Sequence, residues 1–210
     1  MAVGLAGFVS IAKSDPIPYP DVGTPVAVGQ RLIAIGGEVT VQMPATSSAS
    51  YDDYLYLYQP TPSIMFDVGP PPQNFLFWNH GATGTISLGT FDAGTELIFG
   101  LYTGFTYDDD GDAQTPDVFE PLDTWYSGPG DRNADGFVHL YAVNDYGGDP
   151  DSTYVAFEDL NGGPDGSGSD WNYQDIEYIF TGVTSVPEPS SLCLFGLGLA
   201  VMTGIVARRR

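Results

Sequence analysis

Cationic side chains are scarce in this sequence. The 210 residues carry 6 Lys+Arg against 27 Asp+Glu, a formal net charge of −21. Nucleic-acid binding needs cations to neutralise phosphate, so no nucleic-acid partner is expected. A single cysteine, Cys193, excludes an intrachain disulfide framework and a cysteine-based zinc site. Histidine is limited to His80 and His139. His139 falls in an apolar strand-like run and reads as a packed residue rather than a catalytic base. Glutamate, the helix-favouring acid, is rare too: 6 of the acids are Glu and 21 are Asp. Aspartate prefers turns, caps and calcium loops. There is no G-x-S-x-G elbow, phosphate-binding glycine loop, zincin motif or nucleotide fingerprint. With so many acids, some pair will always resemble a glycosidase couple, so carboxylate pairs alone carry no catalytic weight. A non-enzymatic protein is expected.

What is present points to a folded, turn-rich chain. Hydrophobic residues make up 42% and aromatics 13%, enough for a core and too much for a disordered chain. The 27 Gly and 17 Pro break the sequence into short apolar runs with no long helical period. Strands are predicted at Arg31–Ile35, Glu38–Met43, Tyr54–Tyr58, Asn74–Trp78, Thr85–Leu88, Glu96–Thr103, Thr124–Tyr126, Phe137–Val143, Tyr154–Glu158 and Ile176–Thr181. Val39, Val41 and Met43 alternate with polar residues, as do Ile176, Tyr178 and Phe180, which is the pattern of half-buried strands. Gly36-Gly37 suits a tight turn between the first two runs. Gly69-Pro70-Pro71-Pro72 is a stiff connector. Tyr54, Tyr56 and Tyr58 share one strand face with Leu55 and Leu57 behind; an aromatic-rich strand accounts for them better than a sugar-stacking platform. The expected fold is all-β, an antiparallel β-sandwich of jelly-roll type, followed by a C-terminal hydrophobic helix.

The acids cluster. Asp131-Arg132-Asn133-Ala134-Asp135-Gly136 matches the opening of a calcium loop, D-x-[DN]-x-[DN]-G, in which alternate oxygens converge as the glycine turns the backbone. Position 12 of such a loop would be Ala142 rather than a bidentate glutamate, so the remaining ligands must come from elsewhere. Glu158 and Asp159 end a predicted strand, and Asp170, Asn172 and Asp175 lead into the next. Four acids at one end of a hairpin repel one another, and a divalent cation would remove that cost. A hard, oxygen-only set selects calcium. The candidate ligands are Asp131, Asn133, Asp135, Glu158, Asp159, Asp170, Asn172 and Asp175. A further run, Asp108-Asp109-Asp110-Gly111-Asp112 with Asp117, Glu120 and Asp123, reads equally as a second calcium site or a solvated loop.

The ends look like processing segments. Met1–Ile11 is apolar like a signal-peptide h-region, and Ala12-Lys13-Ser14 offers a cleavage site after Ser14. No basic region precedes it, as expected of a truncated signal. At the other end, Val186-Pro187-Glu188-Pro189 is rigid and reads as unable to continue a strand. An apolar run from Leu192 to Ala207 follows, then Arg208-Arg209-Arg210. The run is 16 residues, about 24 Å as a helix, a short membrane span that terminal arginines extend by snorkelling. Positive charge after it is a stop-transfer pattern. Pro187-Glu188-Pro189, the Leu192–Ala207 span and the arginine cluster together resemble the PEP-CTERM sorting signal. That resemblance implies an exosortase that recognises the motif and removes the tail. It also implies an inner-membrane intermediate, then a cell-surface or extracellular destination rich in exopolysaccharide. Both cuts would leave all 27 acids with only Arg31 and Arg132 as bases.

A second resemblance concerns the body. Phe157-Glu158-Asp159-Leu160, then Asp170-Trp171-Asn172-Tyr173-Gln174-Asp175, is similar to the closing motif of the DUF4114 family. Asn133-Ala134-Asp135-Gly136-Phe137-Val138-His139, Gly94-Thr95-Glu96-Leu97 and Thr124–Gly128 also resemble stretches of it. The resemblance implies a secreted bacterial domain that binds calcium. Asn172 and Gln174 depart from that family's pattern; each keeps an oxygen but lowers the charge. The resulting division is residues 1–14 as a signal remnant, 15–184 as the β-sandwich and 185–210 as the sorting signal. The expected role is a calcium-stabilised surface or matrix protein, with a calcium-dependent module binding exopolysaccharide as the alternative.

Overall fold

The computed structural model describes residues 19–47, 49–59, 75–107 and 118–188. The segment through Ser14, the Gly69–Pro72 connector, the Asp108–Asp112 run with Asp117, and the Leu192–Arg210 tail lie outside the described residues. Eleven strands make up the described fold: β1 (Gln30–Ala34), β2 (Gly37–Met43), β3 (Asp52–Gln59), β4 (Phe77–Trp78), β5 (Gly84–Phe91), β6 (Glu96–Tyr107), β7 (Val118–Tyr126), β8 (Leu140–Asn144), β9 (Ser152–Phe157), β10 (Ile176–Thr181) and β11 (Val183–Pro187). They form two antiparallel sheets. One runs β11-β1-β6-β3-β4, with β7 also on β6; the other runs β5-β2-β10-β9-β8. The all-β sandwich is as expected. Among the described residues no helix is long and apolar enough to cross a membrane.

The period-two pattern decides what lies between the sheets. Val39, Val41 and Met43 of β2 and Ile176, Tyr178 and Phe180 of β10 point inward, as their alternation requires. Leu97, Phe99 and Leu101 of β6, Leu55 of β3 and Val155 and Phe157 of β9 complete the filling. A smaller aromatic cluster covers the outer face of the second sheet, where Tyr19, Trp171 and Tyr173 pack against Tyr154 and Ala156. Tyr54 and Tyr56 are buried as well, so they serve packing and not an open platform; Tyr58 alone of the three is exposed.

Several local expectations are corrected. Gly36-Gly37 does not close a hairpin, since β1 and β2 belong to different sheets. The chain crosses between sheets there, and Gly182 makes the same crossing between β10 and β11. Ile35 N–H donates to Gly182 O at 3.0 Å, tying the two crossings together. Strands β1–β2 and β10–β11 are thus one two-stranded ribbon bent across both sheets, paired as β1 with β11 and β2 with β10. The strand predicted from Phe137 starts only at Leu140, because side chains take the preceding backbone groups. Asp135 Oδ1 accepts from Phe137 N–H, Asn133 Nδ2 donates to Phe137 O, and the Tyr173 hydroxyl donates to Val138 O. Strand β7 is longer than predicted because it follows β6 out to Tyr107. Strand β11 reaches Pro187, where the sequence suggested that no strand continues. Proline is tolerated because β11 is an edge strand.

The ribbon's bend supplies a test. Gly182 has φ +81°, and a Cβ there would run into the Glu38 carbonyl. Gly182→Ala combines a left-handed backbone penalty of about 1–2 kcal/mol with that clash. The expected result is a melting temperature lower by roughly 4–8 °C, given about 2–4 °C per kcal/mol for a chain of this size. An unchanged melt would show that the bend is not constrained at this residue.

Candidate metal centre

Four carboxylates gather where the two sheets meet at one end of the sandwich. Glu158 and Asp159 directly follow β9, and Asp175 directly precedes β10. The Phe157↔Ile176 pairing therefore places these acids side by side. Ligand oxygens of Glu158, Asp159 and Asp175 lie within 4.8 Å of one another. Oxygens on opposite sides of a calcium ion stand roughly 4.6–5.2 Å apart, so the trio spans a suitable distance. Glu158 is 0% exposed and Asp159 4%. Asp53 comes from the opposite sheet. It follows the inward parity of Leu55 on β3 and is itself 0% exposed.

The four acids are unevenly satisfied. Asp53 Oδ1 accepts from the Thr103 hydroxyl at 2.8 Å, and Oδ2 from Asn79 Nδ2 at 3.2 Å. Glu158 Oε2 accepts from the amides of Asn172 and Tyr173 at 3.2 and 3.4 Å. Asp175 Oδ2 accepts from Asp159 N–H at 3.0 Å. Glu158 Oε1 and Asp159 Oδ2 are buried without a hydrogen-bond partner. The titration behaviour follows. Burial raises the carboxyl of Asp53 to about 8, and the charges of Asp175 and Asp52 add to this. Burial likewise lifts Asp159 to about 8, helped by Asp53 and Glu158. Glu158 and Asp175 rise to about 7, burial first and neighbouring carboxylates second. Four carboxyl groups share one low-dielectric site, and among the described residues no cationic side chain pairs with any of them.

A rigid frame aims this cluster. Trp125 and His139 stack face to face, with centroids 3.8 Å apart and planes 5° apart. Trp125 Nε1 donates to Asp159 O at 2.7 Å, and His139 Nδ1 lies 2.9 Å from Glu158 O. The two rings thus fix the backbone of the two acidic residues. On the other side, Trp171 (φ 46°) and Tyr173 (φ 53°) adopt left-handed backbone conformations inside a buried turn. Such conformations cost non-glycine residues of order 1–2 kcal/mol each. Here they turn the amides of Asn172 and Tyr173 toward Glu158.

Of the eight residues proposed from sequence, Glu158, Asp159 and Asp175 come together. Asp170 stays at the exposed rim; its charge still raises Glu158, Asp159 and Asp175. Asn172 turns its side chain to Asp170, donating to Oδ2 at 2.7 Å. The calcium-loop motif goes elsewhere. Asp131 is exposed on a short 3₁₀ turn, Gly130–Arg132, beside an open groove that Gly29 and Glu188 also line. Asn133 clamps a turn, taking Tyr126 N–H and donating to Phe137 O. Asp135 Oδ2 faces His139 Nε2 at 3.0 Å and accepts from Gly162 N–H at 2.9 Å. Burial alone would raise Asp135, but the Gly162 and Phe137 amides and His139 overcome it and hold the carboxyl below its usual range. Burial pulls His139 below the usual histidine range, against the proton-favouring Glu158 carbonyl and Asp135 carboxylate. Both ring nitrogens face oxygens, which is a packed, hydrogen-bonded role. Asp53 was missed because the predicted strand began at Tyr54. Extending that strand by one residue places Asp53 on the inward face with Leu55.

The sign of the pH dependence follows. Without metal, all four carboxyls bind protons more tightly folded than unfolded. Their stabilising contribution is complete below the unfolded values near pH 4 and is lost as pH rises through about 7 to 8. Thermal melts in chelator should show a falling midpoint between pH 5 and pH 8, roughly, with a shallower fall in Asp53→Asn. Parallel slopes for the two proteins would contradict a role for this cluster.

No curated protein and no solved structure matches the chain. The PEP-CTERM protein-sorting motif matches residues 185–210. Those residues hold Pro187, Glu188 and Pro189 and the whole apolar tail, and the first part of them is β11. The motif supports export, membrane association of the tag, and processing by an exosortase before release to the surface, so the chain is similar to PEP-CTERM-tagged surface proteins through its last 26 residues.

Proposed function

We propose that this is a non-catalytic protein of the cell surface or extracellular matrix. Its β-sandwich is locked by a calcium ion held by Glu158, Asp159 and Asp175, with Asp53 adding charge from the opposite sheet. The observation that carries the reading is the pair of buried, unpartnered oxygens, Glu158 Oε1 and Asp159 Oδ2, inside a group of buried carboxylates. An unpaired buried charge is among the most costly features a fold can hold, and a hard divalent cation removes that cost. The two segments that resemble the DUF4114 closing motif supply all three ligands. Burial also favours a structural role over a hydrolytic one, because a polymer cannot touch Asp53, Glu158 and Asp159, which solvent barely reaches; Asp175 is half-buried.

The alternative, calcium-dependent binding of exopolysaccharide, rests on different residues. Phe75 and Trp78 line an open groove of about 610 Å³ with the Gly81–Ile86 segment, and Phe75 is exposed. Retention on a gel of surface polysaccharide, lost on chelation and in Trp78→Ala, would favour this second role.

The deciding experiment is a thermal melt with calcium and then with excess chelator. Calcium at 100 times its dissociation constant should stabilise by about 2.7 kcal/mol, roughly 5–11 °C here. Asp159→Asn should abolish that rise. In chelator the same variant should melt higher than wild type, by about 1 kcal/mol or more, because one buried charge is gone. An equal rise with sodium chloride would instead indicate screening of a solvated acidic face.

A further inference from the structure

The last described residues belong to the folded body and to the sorting motif at once. Strand β11 pairs with β1 over five residues, from Ala34↔Val183 to Gln30↔Pro187. Beyond it, Glu188 N–H donates to Gly29 O at 2.9 Å. Arg31 Nε donates to Glu188 Oε1 at 2.7 Å. On the far side of β11, Asn144 holds Ser185 in both directions, donating to its carbonyl at 2.9 Å and accepting from its amide at 2.7 Å. Glu188 is therefore docked through both backbone and side chain, and Pro187 is held at the end of the paired strand before it.

The charge distribution singles out this contact. Arg31 and Arg132 are the only Lys or Arg between Lys13 and Arg208. Both engage one network: Arg132 Nη2 lies 2.8 Å from Glu96, Arg31 Nη1 lies 3.5 Å from Glu96, and Arg31 holds Glu188. A body with acids in large excess thus places both of its arginines at the junction with the tag.

An enzyme that cuts a chain reads several residues in extended form, with their backbone groups and side chains free to meet its groove. Here Glu188 gives its amide to Gly29 and its carboxylate to Arg31, and the residues leading into the motif are paired along β1, so the motif is not free to be drawn into such a groove. The geometry points to a body that masks its own sorting motif: docked on β1 and Arg31, Pro187 and Glu188 are closed to the exosortase. Processing then proceeds from the state in which the end of β11 has left the sheet. This inference rests on the sorting reading of residues 185–210. Edge strands open at low cost, so the mask is a brake on processing and Arg31 sets its strength.

The test follows tail removal by pulse-chase of the full chain, in an exporting host with and without an exosortase. Arg31→Ala frees Glu188. The weight of a solvent-exposed ion pair corresponds to processing about two- to fivefold faster. The converse variant, Ile33→Cys with Thr184→Cys, joins residues that stand opposite each other in the β1–β11 register. Its disulfide should slow processing at least about fivefold, with wild-type speed restored by reductant. The locked variant also decides the matter should Arg31→Ala fail to fold. Equal rates for the locked and wild-type chains overturn the masking. Failure of the sorting reading looks different: no chain, wild type included, then loses its tail faster with the exosortase than without it, and the mask falls with it.

Discussion

Desolvation of like charges at one end of the sandwich is the constraint on which the rest of this structure depends. Glu158, Asp159, Asp175 and Asp53 would each be better solvated outside the fold, and a well-packed apolar quartet would stabilise the sandwich more. The fold instead commits a stacked Trp–His pair, two left-handed aromatic residues and several backbone amides to holding them. Donors meet part of the cluster, both oxygens of Asp53 included, and two oxygens, Glu158 Oε1 and Asp159 Oδ2, are left bare. That combination of close support and incomplete satisfaction makes chemical sense as a ligand set, because a cation needs oxygens that the protein itself has not used. The same frame packs the ring of His139. One nitrogen is spent on the Glu158 carbonyl and the other on Asp135, and the ring face is covered by Trp125.

The bent ribbon distributes this constraint. Strand β10 begins one residue after Asp175, crosses sheets at Gly182 and continues as β11 into the sorting motif. The hairpin that carries the acids and the strand that carries Pro187 are therefore one continuous piece of chain. Its partner strand does the same in reverse: β1 holds Glu188 through Arg31 and β2 backs β10. Both crossings use glycine at positive φ, where a side chain would be strained. Sheet switching at a shared corner is what lets a short ribbon tie together both sheets.

Much of the fold was legible because alternation is a strong signal. The inward faces of β2 and β10 follow directly from Val39, Val41, Met43 and Ile176, Tyr178, Phe180. The acid-bearing hairpin between Tyr154 and Thr181 was equally readable, since strand, acid pair, glycine-rich loop and acid-led strand occur in order. The failures have physical causes. Asp53 was invisible because charge at the start of an aromatic strand ordinarily marks its exposed end, and only tertiary burial reverses that. The calcium-loop motif at Asp131–Gly136 reproduces the spacing of oxygen ligands. That spacing equally suits a turn in which Asn133 and Asp135 satisfy backbone amides, and the ring of His139 four residues on from Asp135 gave its carboxylate a closer partner. Strand β11 was missed because proline was weighed as a strand breaker without regard to edge position.

Charge economy links the remaining features. With acids so abundant, general repulsion keeps the surface extended and soluble but specifies nothing. Specific information has to come from the rare residues. His139 commits its two ring nitrogens to the Glu158 carbonyl and to Asp135, beside the buried cluster, and the two arginines meet at Glu96 and the docked tail. The buried acids receive no arginine at all, although Arg31 or Arg132 at that site would have neutralised them permanently. A side-chain cation cannot be removed, whereas a bound ion responds to its concentration. On the proposed reading, leaving the cluster without a fixed counter-charge makes the stability of the sandwich a function of the surrounding ion concentration.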